Sequence, residues 1–263
     1  MPTPSSILAG IVTYNTALNV LEQTLLSFQN ADIQVDLVVL CNSPFPDYRD
    51  SVKALAEKYG ATVIISEKNF GFGFGHNQIF DAYKPDWYFC SNPDLSFMPA
   101  TLSIMIEAYR DLGDAVLVGP VITDPGNPIP PSSRNHISVR SLLKRYLLPS
   151  RDNAESQPFH MPSGLVFPVE FVSGCFFLIS GERFRQLHGF DSNFFLYCED
   201  ADLSLRASQL GQNYVVARAA VYHPSARATF KNWRMFSIHV TSMARFLLKH
   251  AFTPRNPRRY PKG

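Results

Sequence analysis

From Ile7 to Ser91, near-continuous apolar runs alternate with helix-patterned stretches, and this alternation restricts the fold more than any other feature of the chain. Ile7 to Tyr14 reads as a buried strand, Asn19 to Asn30 as a helix, and Val35 to Leu40 as a second strand. Tyr48 to Tyr59, Ala61 to Ile65, Gly75 to Tyr83 and Trp87 to Ser91 continue as helix, strand, helix and aromatic-rich strand. Strands without a polar face must be covered on both sides, so the pattern predicts an α/β fold with a mostly parallel central sheet flanked by helices. Ligands of such sheets gather where the strands end. Thr13 to Asn15, Cys41 to Ser43 and Asn92 to Asp94 fall there.

After Pro120 the rhythm breaks. Residues 120–170 are rich in proline and serine, with one amphipathic patch from Ile137 to Leu148, and read as a variable insertion or loop. Regularity returns with an apolar strand from Phe171 to Ile179 and a helix from Gly181 to Leu187. A helix from Glu199 to Leu210 follows, then short strands at Tyr214 to Val216 and Ala220 to His223. The expected division is one domain over residues 1–225 and a C-terminal extension, 226–263. There Asn232 to His250 forms an amphipathic helix with Trp233, Phe236, Val240, Met243 and Leu247 in one stripe. That stripe suits either a membrane surface or the core of the domain.

The net charge of +2 gives no ground for a nucleic-acid partner. Its distribution matters more: Arg140, Lys144 and Arg145 cluster, and Arg255, Arg258, Arg259 and Lys262 form a basic tail suited to an anionic lipid surface or a phosphate-bearing substrate, or simply to solvent. The four cysteines lack paired spacing, which fits free thiols. No signal-like N-terminus and no membrane-length apolar run are present, so the expectation is a cytoplasmic protein, peripheral to the inner face of the plasma membrane if the tail docks.

Several constellations carry chemistry. Asn92-Pro93-Asp94 puts a carboxylate just past a strand, where it could hold Mg²⁺ or Mn²⁺ with substrate phosphates; the same tripeptide is also a common turn. Glu199, Asp200 and Asp202 crowd the start of a helix. The helix dipole accounts for acidic residues there, but mutual repulsion would also raise their pKa values towards those of a general base. Asn69 to Asn77 carries Gly71, Gly73 and Gly75 at alternate positions, either a loop that approaches a ligand or a flexible turn. Its spacing fails the dinucleotide fingerprint, which disfavours a Rossmann dehydrogenase. His223, before Pro224, is a structural histidine or a metal or phosphate ligand.

Taken in order, these stretches resemble the family 2 inverting glycosyltransferases of GT-A (Rossmann-like) fold. The matching pieces are Ala9 to Asn15, the Asn69–Asn77 glycine loop, Asn92-Pro93-Asp94, Ser173 to Ile179, and Gly189-Phe190-Asp191 continuing through Glu199-Asp200, Asp202-Leu203, Arg206 and Gly211 to His223. The glycine loop with Asn-Pro-Asp resembles the rhamnosyltransferase-like branch. The resemblance implies a nucleotide-sugar donor bound by Thr13, Tyr14, Asn15, Asn42, Asn69, Gly73, Asn77, Asn92 and Asp94. It also implies a divalent cation (Mg²⁺ or Mn²⁺) on Asp94 with His223 nearby, and an acceptor side at Ser173, Gly174 and Asp202. Asp200 would be the catalytic base, with Glu199 the alternative. The reaction so implied is transfer of rhamnose from dTDP-rhamnose onto a glycan or lipid-linked glycan acceptor in bacterial surface polysaccharide synthesis. The alternatives are a UDP-hexose or UDP-galactofuranose donor, or a silent nucleotide- or glycan-binding module. One departure stands out: Cys41 occupies the place where relatives carry a nucleotide-contacting Asp, with Asn42 and Ser43 as candidate substitutes.

Overall fold

A computed structural model describes residues 6–123, 166–224 and 233–251. The amphipathic patch from Ile137 to Leu148 and both basic clusters therefore lie outside the described residues. Strands β1 (Ile7–Thr13), β2 (Asp36–Cys41), β3 (Thr62–Ile65) and β4 (Trp87–Ser91) pair in parallel in the order β3-β2-β1-β4. Between them run α1 (Leu18–Gln29), α2 (Pro46–Lys58) and α3 (Phe72–Tyr83). Helix α2 starts with Pro46 in its first turn beside Asp47 and ends at Lys58, the arrangement that proline's fixed φ and the helix dipole favour. Short β5 (Ser96–Phe97), α4 (Thr101–Asp111), β6 (Ala115–Thr123) and β7 (Val166–Val169) come next. Then follow β8 (Phe176–Ser180), α5 (Gly181–Gln186), α6 (Glu199–Leu210), β9 (Gln212–Tyr222) and α7 (Trp233–His250).

Strand β8 runs antiparallel between β4 and β6, while β9 is parallel to β6 and carries β5 and β7 antiparallel to it. The carboxyl ends of β1, β2, β4 and β9 thus share one sheet edge with the amino end of β8. Every candidate constellation lies along that edge.

Alternate residues of the strands serve two cores. Phe176 and Leu178 join Leu21, Leu25 and Phe28 of α1, Val52 and Ala56 of α2 and Leu102 and Met105 of α4 on one face. Phe177 and Ile179 join Phe80 of α3, Phe184 of α5 and Leu203 and Ala207 of α6 on the other. Each fully buried Leu or Phe adds about 1.5–3 kcal/mol of burial free energy, which makes the sheet a rigid platform for the loops at its edge.

The structure departs from the sequence reading in four places. Helix α4 and strand β6 are additional elements; Pro120, read as the start of an irregular stretch, lies within β6 at a register shift, where its missing N–H is tolerated. Residues 120–123 and 166–169 are accordingly strands. The apolar run from Phe171 becomes strand only at Phe176, and the two short C-terminal strands are one, β9, kinked by a bulge. Helix α3 begins at Phe72, three residues before the expected Gly75, so Gly73 is a helical, not a loop, residue. A Cβ on Gly73 would lie 2.8 Å from Phe190 Cβ and one on Gly75 2.9 Å from Val12, so these glycines permit close helix packing. Among the described residues no helix is long and apolar enough to cross a membrane.

Candidate active site

Three hydrogen-bonded groups line the edge. At the ends of β1 and β2, buried Thr13 shares its hydroxyl with Tyr48 at 2.9 Å, and Ser43 Oγ donates to Asn15 Oδ1 at 2.6 Å. Arg49 holds the β2 turn through the carbonyls of Ser43 and Ser66. Asn42 is 3% exposed; its Nδ2 donates to Gly71 O at 3.3 Å, while its Oδ1 is buried with no partner. Tyr14 stands exposed at the rim. Cys41 is fully buried in β2 between Thr13 and Ile65, and burial raises its thiol pKa, so the polar group offered at this strand end is Asn42.

The glycine loop is fixed by Asn69, whose Oδ1 accepts from Gly71 N at 2.9 Å. Gly71 has φ 99° and a Cβ there would sit 2.0 Å from the Phe195 carbonyl, so only glycine fits. Asn77 points away from the edge: its amide donates to Phe190 O and accepts from Phe190 N, both at 2.8 Å. Gly73 and Asn77 are therefore engaged in clasping α3 to the 188–191 turn.

The second group follows β4. His223 Nε2, at the end of β9, lies 3.1 Å from Asp94 Oδ1 and 3.1 Å from Asn92 Nδ2. One ring nitrogen cannot both accept from the amide and donate to the carboxylate. As N–H it donates to Asp94 Oδ1; as an acceptor its lone pair takes the Asn92 amide hydrogen, which a cation on Asp94 would have to displace to reach the ring. An oxygen–imidazole pair suits a small divalent ion, which rarely takes a full set of protein ligands and shares them with phosphate oxygens. Among the described residues there is no cluster of three or more His, Cys, Asp or Glu side chains that could hold a metal.

The third group sits where α6 begins. Asp200 Oδ2 accepts from Gly174 N at 3.0 Å, and the Cys175 carbonyl accepts from Asn92 N at 2.8 Å. The Gly174-Cys175 step therefore ties the carboxylate on α6 to the Asn92–Asp94 turn. Ser173 Oγ lies 3.2 Å from Cys175 Sγ. Glu199 is 6% exposed with Oε2 unpartnered; burial, then the charge of Asp200, pushes its pKa up to about 8.

Asp202, expected on the acceptor side, has no exposed surface and faces inward. Its carboxylate meets Arg206 Nε at 2.7 Å, Lys249 Nζ at 2.6 Å and His250 Nε2 at 2.8 Å. Burial opposes its ionisation, but the His250 hydrogen bond and the two cations outweigh that and hold its pKa to about 2. The reason is geometric: residues 200 and 202 lie about 200° apart around a helix, so they cannot both face the edge. Helix α7 likewise turns a different face inward than its apolar stripe suggests. Ser242, Phe246 and His250 are buried, while Trp233 and Val240 are exposed. Tyr48, the Cys175 carbonyl and the α7 contacts escape the sequence reading because their partners lie far along the chain, and Arg49 because it bonds only backbone carbonyls.

The model of "Glycosyl transferase family 2" matches residues 9–184. An N-acetylglucosaminyl-diphospho-decaprenol L-rhamnosyltransferase of Mycobacterium tuberculosis is 29% identical over 237 residues, covering 83% of this chain and 76% of the relative. The rhamnosyltransferase WbbL of Escherichia coli K12 is 26% identical over 216 residues, covering 77% and 80%. Among solved structures, GalNAc-T7 with UDP, GalNAc and Mn²⁺ superposes with a TM-score of 0.71 at 12% identity, over 94% of this chain and 48% of that one. The chain spans about half of that structure, and the likeness establishes the fold. The family match extends over most of the described strands of this sheet, from β1 through β8, and includes the Asn92–Asp94 turn and the Gly174-Cys175 step. The chain belongs to glycosyl transferase family 2 and is a nucleotide-sugar glycosyltransferase of GT-A fold.

Proposed function

We propose that the chain transfers rhamnose from dTDP-rhamnose, with inversion, to a glycan or lipid-linked glycan acceptor in bacterial surface polysaccharide synthesis. Both curated relatives carry rhamnosyltransferase in their names, and one of them acts on a diphospho-decaprenol. The observation that carries the reading is the Gly174-Cys175 step, which links Asp200 to the Asn92–Asp94 turn. One reacting centre at this edge would have leaving-group and acceptor chemistry on adjoining sides.

Asp94 and His223 would hold a divalent cation, Mg²⁺ or Mn²⁺, which when bound supplies Lewis-acid stabilisation of the departing diphosphate. Thr13, Tyr14, Asn15 and Asn69 border the donor side. Asn42, whose buried Oδ1 has no partner, would have to turn outward to accept from a pyrimidine imide N–H in place of the carboxylate that Cys41 lacks. Gly73 and Asn77 shape this side from behind, through their packing on Phe190. Burial and the neighbouring Asp200 charge favour the protonated form of Glu199, and Asp200, held by Gly174 N beside the Asn92–Asp94 turn, is the member of the pair placed to take the proton of the acceptor hydroxyl. Ser173 and Gly174 form the acceptor side, with Asp202 supporting Asp200 from within α6. Exposed Trp233, Val240 and Leu248 on α7, continued by the basic tail, support docking at the inner face of the plasma membrane, where a lipid-linked acceptor resides.

The test is a thermal-shift series with dTDP-rhamnose and uridine- and guanosine-linked sugars, with and without Mg²⁺ or Mn²⁺. The expected result is a metal-dependent rise in Tm with dTDP-rhamnose that Asp94→Ala abolishes. A larger shift with a UDP-hexose or UDP-galactofuranose reassigns the donor. No shift with any donor would overturn the assignment of the donor site to this edge.

A further inference from the structure

Helix α7 makes its polar contacts with the segment that delivers Asp200. Ser242 Oγ donates to Leu196 O at 2.7 Å, and Arg245 donates to Asn193 O. Lys249 Nζ bridges Asp191 Oδ2 and Asp202 Oδ1, each at 2.6 Å, and His250 Nε2 meets the same Asp202 oxygen at 2.8 Å. Phe246 completes the grip in a small buried cluster with Phe194 and Ala201.

That segment needs outside support. Tyr197 and Cys198, the two residues immediately before Glu199-Asp200, both lie in the left-handed region, with φ 69° and 65°. Side-chain-bearing residues rarely adopt this conformation, and two in succession persist only where their surroundings over-determine them. Cys198 is the N-cap of α6 yet caps it with no side-chain hydrogen bond. The heading of the first turn of α6, and with it the aim of Asp200 at Gly174, is therefore set from outside. On one side Phe72 N donates to Phe195 O at 3.1 Å; on the other stands α7. Asp202, two residues beyond Asp200, draws two of its three side-chain partners from α7, the Lys249 cation and the His250 ring. If Lys249 and His250 lose their polar groups while α7 stays packed, the buried carboxylate keeps only Arg206, and the first turn must shift to reach water.

We propose that α7 is a positioning clamp: Ser242, Lys249 and His250 act through Leu196 and Asp202 to hold Asp200 against Gly174. The catalytic unit then extends to His250, well past residue 184, where the family model ends. The catalytic half of this inference rests on the reading of Asp200 as the base; the structural half does not.

The test uses the full chain and four variants, Ser242→Ala, Lys249→Met, Lys249→Arg and His250→Gln, with two readouts. Hydrogen exchange requires no substrate. Lys249→Met and Ser242→Ala should speed exchange of amides 196–202 by about tenfold or more while β1 to β4 keep their protection. Initial rates should show kcat reduced about tenfold with donor KM within about twofold, and Lys249→Arg and His250→Gln should retain most of the activity. Faster exchange in α7 with unchanged protection at 196–202 overturns the clamp, as does a raised KM with intact kcat. If the unaltered chain turns over no donor, the proposed function fails, and the exchange comparison still decides the clamp.

Discussion

Gly174→Ala puts a single methyl group into the contact on which the base assignment depends. A Cβ at residue 174 would lie 2.8 Å from Asp200 Cβ and 3.4 Å from both Asp200 Cγ and Oδ2, where ordinary contact starts at 3.4 Å. Residue 174 needs no left-handed backbone, so the substitution adds bulk without φ strain. Asp200 must retreat by roughly half an ångström, or the 173–175 loop must shift and stretch the 3.0 Å bond from Gly174 N. A misplacement near 1 Å lowers turnover about 100-fold, so the expected loss in kcat is about 10- to 100-fold, or roughly 1.4–2.7 kcal/mol of barrier. Overpacking costs a further 1 kcal/mol or so of stability, about 2–4 °C in Tm for a chain of this size. The assay is the initial rate of nucleoside diphosphate release at saturating donor, with Tm followed in parallel. Gly113→Ala is the control, since no atom lies within 4 Å of the added methyl. If Gly174→Ala keeps kcat within twofold of the unaltered chain while remaining folded, Asp200 does not act from this position.

The clasp behind the donor side is tested by Asn77→Leu, which removes both hydrogen bonds to Phe190 and strands its buried backbone groups. The expected cost is about 2–3 kcal/mol, a Tm drop of roughly 5–10 °C, and a change of only a degree would mean the clasp contributes little. Glu199 gives a pH signature: its folded pKa of about 8 stands above the ordinary 4.5, so its stabilising contribution is complete below pH 4.5 and lost as pH rises through 8. Glu199→Gln should therefore gain Tm over the unaltered chain progressively from pH 5 to 9, by up to about 1.4 kcal/mol per pH unit; parallel Tm curves would show that Glu199 titrates normally.

The parallel half of the fold is legible because β1, β2 and β4 are almost wholly buried and betray themselves as unbroken apolar runs, while the half-buried edge strand β3 keeps an apolar run of its own. Strand β6 is equally apolar, but Gly119 and Pro120 at its centre read as a stop; the bulge opposite that makes them acceptable belongs to β9, some 95 residues on. Helix α4 has a legible period, with Leu102, Met105, Ile106 and Tyr109 buried at helical spacing. At the site, strand-end positions are readable because topology alone delivers them. Which way a side chain faces is not, as Asp202 shows: beside Asp200 in sequence, it turns inward to partners on α7 that no local pattern announces. The same holds for Gly73, whose reason is the Phe190 side chain rather than a ligand.

The antiparallel course of β8 has a consequence for how activity arises during folding. Asn92 meets Cys175 only once β4 has paired with a strand about 85 residues later, and His223 reaches Asp94 across 129 residues. The β1–α1–β2–α2–β3 units rest on short-range contacts and close quickly, whereas ladders of such long sequence separation carry the loop-closure entropy that slows folding. The strand ends at Thr13 and Cys41 can therefore take shape early, while the glycine loop, clasped by Phe190 and Phe195, and the Asp94–His223 contact close only with the later elements. A chain interrupted on its way would have the first three strands in register without the edge at which Asp94, Asp200 and His223 meet.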